Sequence, residues 1–348
     1  MKTLRALVVD DSAFSRQTIR RILEECPGVE VIGLAGNGID AIAKTMRLKP
    51  DLITLDLEMP EMDGFSFLRW IMIQKPTAVI IVSSYSDTKT VFKALELGAI
   101  DFINKPSKRA SVDLKGIEKD LKQKVNAVRG LNMEVLSKNI RLLEPAIEKP
   151  VPVAENTVDV VAIGSSTGGP AALQIILTRM PEDFPAGIVI SQHMPKGFTG
   201  PLAERLNKLS NISIKEAEGG DVIEPGRAFI CPGACHLVLK KRAGKTKIFL
   251  KDASKEDRYT PSVDIMMASV AEVCGERSIG VLLTGMGSDG RQGMLEIKSK
   301  GGYTIAESRE TAVVFGMPQE AIKAGAAMKV LPLTDIPPEM IRIAKTGR

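Results

Sequence analysis

The chain is poor in features that would place it in a specialised class. Four cysteines in 348 residues are too few for a disulfide scaffold and read as reduced thiols in a cytosolic protein. No stretch approaches the ~18 apolar residues of a membrane span. The first residues, MKTLRALVVDD, hold only the short apolar run Ala6–Val9 before two aspartates. A secretory leader needs about 7–15 apolar residues there. Lys+Arg number 47 and Asp+Glu 42, a net charge of +5 that is too small to announce a nucleic-acid partner. There is no short-period repeat and no low-complexity tract. What remains is ordinary: 44% hydrophobic and 26% charged residues, the balance of a globular protein rather than a disordered, collagen-like or coiled-coil chain. At roughly 100–200 residues per domain, the length predicts two domains, or at most three. The expected location is cytoplasmic, without membrane insertion.

Apolar runs at 4–10 (LRALVVD), 51–56 (DLITLD), 79–83 (VIIVS) and 100–103 (IDFI) suit strands buried on both faces of a parallel sheet. Ile39, Ile42, Ala43 and Met46 fall at one face of a helix, and Phe14, Ile22 and Leu23 suggest another stripe. The alternation predicts a doubly wound α/β domain over 1–125. Residues 105–124 carry seven basic and three acidic residues, the solvated face of a last amphipathic helix. The proline-bearing stretch EPAIEKPVPVAENT (144–157) belongs to a linker, 126–157. A second series of runs follows, at 158–163, 187–191, 228–231, 238–240, 247–250 and 278–284, with helical stretches at 170–180 and 263–274. This predicts a second α/β domain, 158–348, with a mostly parallel sheet.

Two constellations carry chemistry. Asp10 and Asp11 follow the first run, Asp56 and Ser83 end later ones, and Lys105 follows the last in the first domain. In an open parallel sheet the carboxyl ends of the strands converge on one crevice. Each residue alone would be an ordinary strand-end polar group. Together they gather three carboxylates, a hydroxyl and an ammonium. Such a set suits a hard Mg²⁺ and a carboxylate nucleophile for phosphorus, with Asp56 the candidate. Residues 1–125 resemble a response-regulator receiver domain in VVDDS (8–12), LDLEMPEMDG (55–64), VSS (82–84) and INKP (103–106). The resemblance implies a flavodoxin-like fold, Asp56 as phosphoacceptor, and Mg²⁺ held by Asp10 and Asp11 with Asp56. It also implies phosphoryl contacts from Ser83 and Lys105, and a mobile aromatic at Phe102.

In the second domain, Gly164-Ser165-Ser166-Thr167-Gly168 fits G-x-S-x-G between a strand and a helix, as a nucleophile elbow requires. The Thr167 N–H would face a developing oxyanion. A tight βα turn or a phosphate-binding loop would read the same way. The chain has two histidines, His193 and His236. His193, in SQHMP after a strand, is the better-placed base. Asp289, in GMGSDG after SIGVLLT, could orient its imidazole. The order Ser…His…Asp is not that of α/β-hydrolases. A rival reading takes Gly285, Gly287 and Gly290 as G-x-G-x-x-G with Glu307 or Glu310 as the ribose ligand, though the motif then sits late in its domain. Cys231-x₃-Cys235-His236 lacks a second ligand cluster and reads as a turn with buried thiols.

Residues 158–348 resemble the catalytic domain of the chemotaxis receptor methylesterase/glutaminase family in AIGSSTGGP (162–170), SQHMP (191–195), PGACH (232–236), LLTGMGSDG (282–290) and GMP (316–318). That resemblance implies a Rossmann-like catalytic domain and a Ser166–His193–Asp289 triad, with Met286 near the oxyanion site. Ser288 stands where relatives often carry Asn. The implied activity is phosphorylation-activated hydrolysis of glutamate methyl esters, and of glutamine amides, with no cofactor for the esterase chemistry. The implied partners are methyl-accepting chemotaxis receptors as substrates and a chemotaxis histidine kinase as phosphodonor.

Overall fold

The computed structural model describes residues 3–83, 88–105, 113–131, 133, 135–136, 158–254 and 256–346. The chain divides into two compact units, Met1–Ile140 and Arg141–Arg348.

The first unit is a parallel sheet of β1 (Leu4–Val9), β2 (Val29–Ala35), β3 (Leu52–Asp56), β4 (Ala78–Ser83) and β5 (Asp101–Asn104), in the order β2-β1-β3-β4-β5. Its helices are α1 (Ala13–Glu24), α2 (Gly38–Leu48), α3 (Gly64–Gln74), α4 (Thr88–Glu96) and α5 (Asp113–Val128). Right-handed crossovers place α1 and α5 on one face of the sheet and α2 to α4 on the other; α1 packs on α5, and α2 on α3. Strand order reverses at β1, which sets β1 and β3 side by side. Val9 pairs with Leu55, so Asp10 and Asp56 follow in step at the sheet's carboxyl edge.

Two expectations need correction here. The α2 stripe of Ile39, Ile42, Ala43 and Met46 is not the buried one: Ile39 and Met46 are 56% and 59% exposed. Gly38, Ala41 and Thr45 face inward instead. The approach is too close for branched residues, since a Cβ on Gly38 would lie 2.6 Å from Met62 Cγ. Helix α5 also runs three residues past the expected boundary at 125. Of the expected linker, 137–157 lies outside the described residues.

The second unit holds a seven-stranded sheet, β14-β13-β12-β6-β7-β9-β8, in which every neighbouring pair is parallel. Its strands are β6 (Val160–Ser165), β7 (Gly187–Gln192), β8 (Ser213–Glu216), β9 (Arg227–Ile230), β12 (Ser278–Leu282), β13 (Tyr303–Glu307) and β14 (Lys329–Leu331). Its helices are α6 (Gly169–Leu177), α7 (Thr199–Leu209), α8 (Val263–Cys274), α9 (Arg291–Ser299), α10 (Met317–Lys323) and α11 (Ile336–Thr346). The runs at 238–240 and 247–250 are not part of this sheet. They belong to an antiparallel hairpin, β10 (Cys235–Arg242) and β11 (Lys245–Asp252). Its two-residue loop, Ala243-Gly244, has φ of 52° and 74°. Two positive φ values turn the chain straight back on itself, whereas parallel partners need a long crossover. The hairpin packs on α8, burying Leu237, Leu239 and Ile248 with Met266, Met267 and Val270. No described helix is long and apolar enough to cross a membrane.

Candidate active site

At the carboxyl edge of the first sheet, one oxygen from each of Asp10, Asp11 and Asp56 lies within 4.8 Å of the others. Asp10 and Asp56 are buried and Asp11 is exposed. Lys105 Nζ donates to Asp56 Oδ2 and stands 3.5 Å from Asp10 Oδ1 and from Asp11 Oδ1. Asp10 is fixed by donors from the start of α1, Ser12 N at 2.8 Å and Ser15 Oγ at 2.6 Å. Burial, opposed by the Lys105 bond and reinforced by the charge of Asp10, pushes Asp56 up to about 6. Burial raises Asp10 as well. Three carboxylates facing one ammonium leave an excess of negative charge in a crevice of oxygen donors open at Asp11. That donor set fits a hard divalent cation that keeps some of its water. Ser83 ends β4 and pairs with Asn104; its side chain lies outside the described residues. Phe102 is buried on β5, its ring 4.9 Å from Lys124 Nζ.

The second site forms where β6, β7 and β12 end. Register pairs Gly164 with Ser191 and Ser165 with Gln192. Ser166 and His193 are therefore the next residues off two adjacent strands. The His193 N–H donates to Ser165 O at 3.0 Å, and the Ser166 N–H to Thr284 O at 3.0 Å. Gln192 braces this corner. Its Oε1 accepts from Ser165 Oγ at 2.6 Å, while its Nε2 donates to Ser166 O and His193 O at 2.9 and 3.0 Å. A Cβ on Gly169 would lie 2.0 Å from Gln192 Oε1, so only glycine admits the brace. On the other side, a Cβ on Gly285 would lie 2.7 Å from Ser166 Cβ, which sets the 284–286 loop directly against Ser166. Met286, the next residue, is half-buried. Thr167 lies buried in the turn after Ser166, its carbonyl accepting from Thr284 Oγ1 at 3.0 Å.

His193 Nε2 lies 2.8 Å from Asp289 Oδ2. Asp289 is 2% exposed and accepts three further bonds: from Val263 N at 2.8 Å, Asp264 N at 2.9 Å and Ser262 Oγ at 3.1 Å. Burial alone would raise its pKa. The His193 bond and charge, with the Asp264 and Val263 amides, outweigh burial and hold the carboxyl below the usual range. Neighbouring Asp264 goes the other way. Burial, opposed by the Gly293 amide and aided by the charge of Asp289, raises it to about 6. With Nε2 on Asp289, the second ring nitrogen of His193, Nδ1, is buried without a protein partner. Tyr259 stacks on the imidazole, centroids 5.0 Å apart and planes 6° from parallel. The structure thus joins His193 to Asp289 directly, and brings Ser166 beside them through strand register and the 284–286 loop.

Sequence reasoning missed Gln192, Tyr259 and Ser262. Only Ser262 carried a local signal, a serine placed to cap a helix. The rival dinucleotide reading loses one of its two ribose ligands to burial, Glu310 being exposed. Glu307 ends β13 with no exposure and accepts from Thr284 N at 2.8 Å, so it cannot reach a ribose. Cys231 Sγ donates to Cys235 O, and among the described residues the one cluster able to hold a metal is Asp10, Asp11 and Asp56.

Fold and sites define a response regulator whose receiver is joined to a second α/β domain. Residues 6–114 match the response regulator receiver domain, and residues 161–340 match the CheB methylesterase family. The protein-glutamate methylesterase/protein-glutamine glutaminase 3 of Geobacter sulfurreducens is 46% identical, over 98% of this chain and 98% of its own length. The corresponding protein of Pyrococcus horikoshii is 43% identical, over 100% of this chain and 95% of its own. The crystal structure of the Thermotoga maritima CheB methylesterase catalytic domain covers 53% of this chain and 98% of its own, at 46% identity and a TM-score of 0.52. The chain belongs to the protein-glutamate methylesterase/protein-glutamine glutaminase family.

Proposed function

We propose that the chain is a phosphorylation-controlled serine hydrolase that cleaves glutamate methyl esters, and glutamine amides, on methyl-accepting chemotaxis receptors in the cytoplasm. Ser166 Oγ attacks the side-chain carbonyl carbon, and its proton passes to His193 Nδ1. Asp289 keeps the ring proton on Nε2 and stabilises the imidazolium. The Thr167 N–H and the backbone around Met286 face the tetrahedral oxyanion. The imidazolium then returns its proton to the departing methoxide or amide, which leaves as methanol or ammonia. Water, activated by the same imidazole, frees the glutamate carboxylate and regenerates Ser166.

In the receiver, a carboxylate oxygen of Asp56 accepts a phosphoryl group from a chemotaxis histidine kinase. Asp10, Asp11 and Asp56 would hold Mg²⁺, whose charge would offset that of the phosphoryl oxygens. Lys105 supplies a second positive charge, and Ser83 a hydroxyl. Phe102 is the aromatic that responds to phosphorylation.

The observation that carries the esterase reading is the 2.8 Å His193–Asp289 bond beside the braced Ser166 corner. Ser166→Ala tests it. The substitution should abolish methanol release from methylated receptor and labelling by a serine-directed fluorophosphonate. Wild-type release from the variant would overturn the assignment.

A further inference from the structure

We propose that His236, the second histidine, is a positioning residue that aligns both His193 and Asp289 from behind; this rests on reading those two residues with Ser166 as the reacting triad. His236 opens the β10–β11 hairpin, paired with Lys251, and is fully buried. Its two ring nitrogens hold the two ends of one short segment. Nδ1 takes the Ser262 N–H at 3.0 Å, and Nε2 lies 2.9 Å from Asp257 Oδ2. A backbone N–H only donates, so Nδ1 carries no proton and the ring proton sits on Nε2, aimed at Asp257. One tautomer therefore satisfies both bonds. Asp257 Oδ2 also accepts from Ser254 N at 2.6 Å, which anchors that end to the chain leaving β11.

Two residues of that segment touch the triad, and the amides just past it do as well. Tyr259 stacks on the His193 ring. Ser262 caps α8 and turns its hydroxyl to Asp289 Oδ1. The next two amides, Val263 and Asp264, complete the cradle of the Asp289 carboxylate. Asp264 Oδ1 closes the circuit by accepting from Gly290 N, next to Asp289, at 2.9 Å and from Gly293 N, in the first turn of α9, at 2.7 Å. His236 fixes where segment 257–262 starts and stops. It thereby sets the plane of the base through Tyr259, and the position of the acid through Ser262. The hairpin has no strand end at the reacting edge, and delivering this imidazole is its part in the chemistry.

The chain's two histidines make the test direct. In full-length protein labelled with ¹⁵N-histidine, His236 should show the Nε2–H tautomer; a protonated Nδ1 would overturn the proposal. His236→Gln can still donate to Asp257 but offers Ser262 N–H no acceptor. His236→Asn can accept from Ser262 but does not reach Asp257. In either variant His193 is the sole histidine left, so its ring signals report the link unambiguously. They should shift in both. For methylated receptor, kcat should fall by about tenfold or more in His236→Gln and by less in His236→Asn, with KM little changed, because displacement rather than lost binding is the defect. Wild-type kcat with unmoved His193 signals in both variants would refute the role. Should the variants not fold, the wild-type tautomer decides. Ser166→Ala distinguishes the two levels: wild-type turnover there would sink the triad reading, while the imidazole spectra would still decide the link from His236.

Discussion

His193 Nε2 and Asp289 Oδ2 are 2.8 Å apart, and the same carboxylate receives three donors from the first turn of α8. The acid is thus held by backbone and cap before it meets the imidazole. Asp289→Asn, with its oxygen in the Oδ1 place, keeps the shape and an acceptor for the Ser262 hydroxyl and the Asp264 N–H, but removes the charge and the Oδ2 that also accepts from the Val263 N–H. It also presents an N–H₂ where His193 Nε2–H pointed, favouring the tautomer with a proton on Nδ1. That tautomer cannot accept from Ser166. The kcat for methanol release should fall on the order of 10³–10⁴, with KM nearly unchanged. A loss of less than about tenfold would mark the pair as structural.

Asp56 is the one strand-end carboxylate whose Oδ2 is taken by Lys105, at the crevice it shares with Asp10 and Asp11. Asp56→Asn should leave the basal esterase rate intact, since the chemistry lies in the other unit. It should abolish the rise in rate produced by a small-molecule phosphodonor with Mg²⁺. The measurement is methanol release with and without phosphodonor in both proteins. Equal stimulation would remove Asp56 from the role of phosphoacceptor.

What the sequence disclosed follows from how parallel sheets are built. Strands buried on both faces read as unbroken apolar runs, so β1, β3, β6, β7 and β12 announced themselves, and the polar residue ending each marked the reacting edge. The α2 stripe misled because its buried face meets Met62 too closely for large side chains. Burial there follows fit rather than hydrophobicity. The β10–β11 hairpin was readable only as two isolated runs, although Ala243-Gly244 between them is a turn signal. Gln192, Tyr259 and His236 act through partners 26 or more residues away, such as Ser166, His193 and Ser262. No periodicity or spacing encodes such contacts.

Gln192 touches Ser165, Ser166 and His193 with one amide. Gln192→Ala would strand the Ser165 hydroxyl and take a donor from the His193 carbonyl, at a cost of about 1–3 kcal/mol per unsatisfied group, while Ser166 O keeps the Gly169 N–H at 2.7 Å. Gln192→Glu keeps an acceptor for Ser165 but offers no donor to the Ser166 and His193 carbonyls. Both variants should lose stability, and kcat should drop by about tenfold to a hundredfold with KM less affected, because the serine and the base lose their common support. Steady-state kinetics with a thermal melt of each variant would check this. A folded Gln192→Ala enzyme with wild-type kcat would show that the strand ends hold their positions unaided.

Glu307 supplies a pH dependence with a definite sign. It is wholly buried in β13, accepts the Thr284 N–H, and is pushed by burial up to about 7, against an ordinary value of 4.5. Because the folded pKa lies above the unfolded one, the native state holds the extra proton between those values. Stability from this group is therefore fully present below about pH 4.5 and is lost as pH rises towards 7. Glu307→Gln keeps an oxygen for Thr284 and cannot ionise. Relative to the variant, the wild type should lose on the order of 2–3 kcal/mol between pH 5 and pH 8. Trp70 is the only tryptophan and lies in the other unit, so its fluorescence does not report this change. Hydrogen exchange of peptides covering β12 and β13, corrected for intrinsic rates, reads it locally. Protection that falls with pH in the wild type but not in Glu307→Gln is the expected result. Parallel curves would mean that Glu307 stays in one protonation state across this range, and that the Thr284 corner against Ser166 is insensitive to pH.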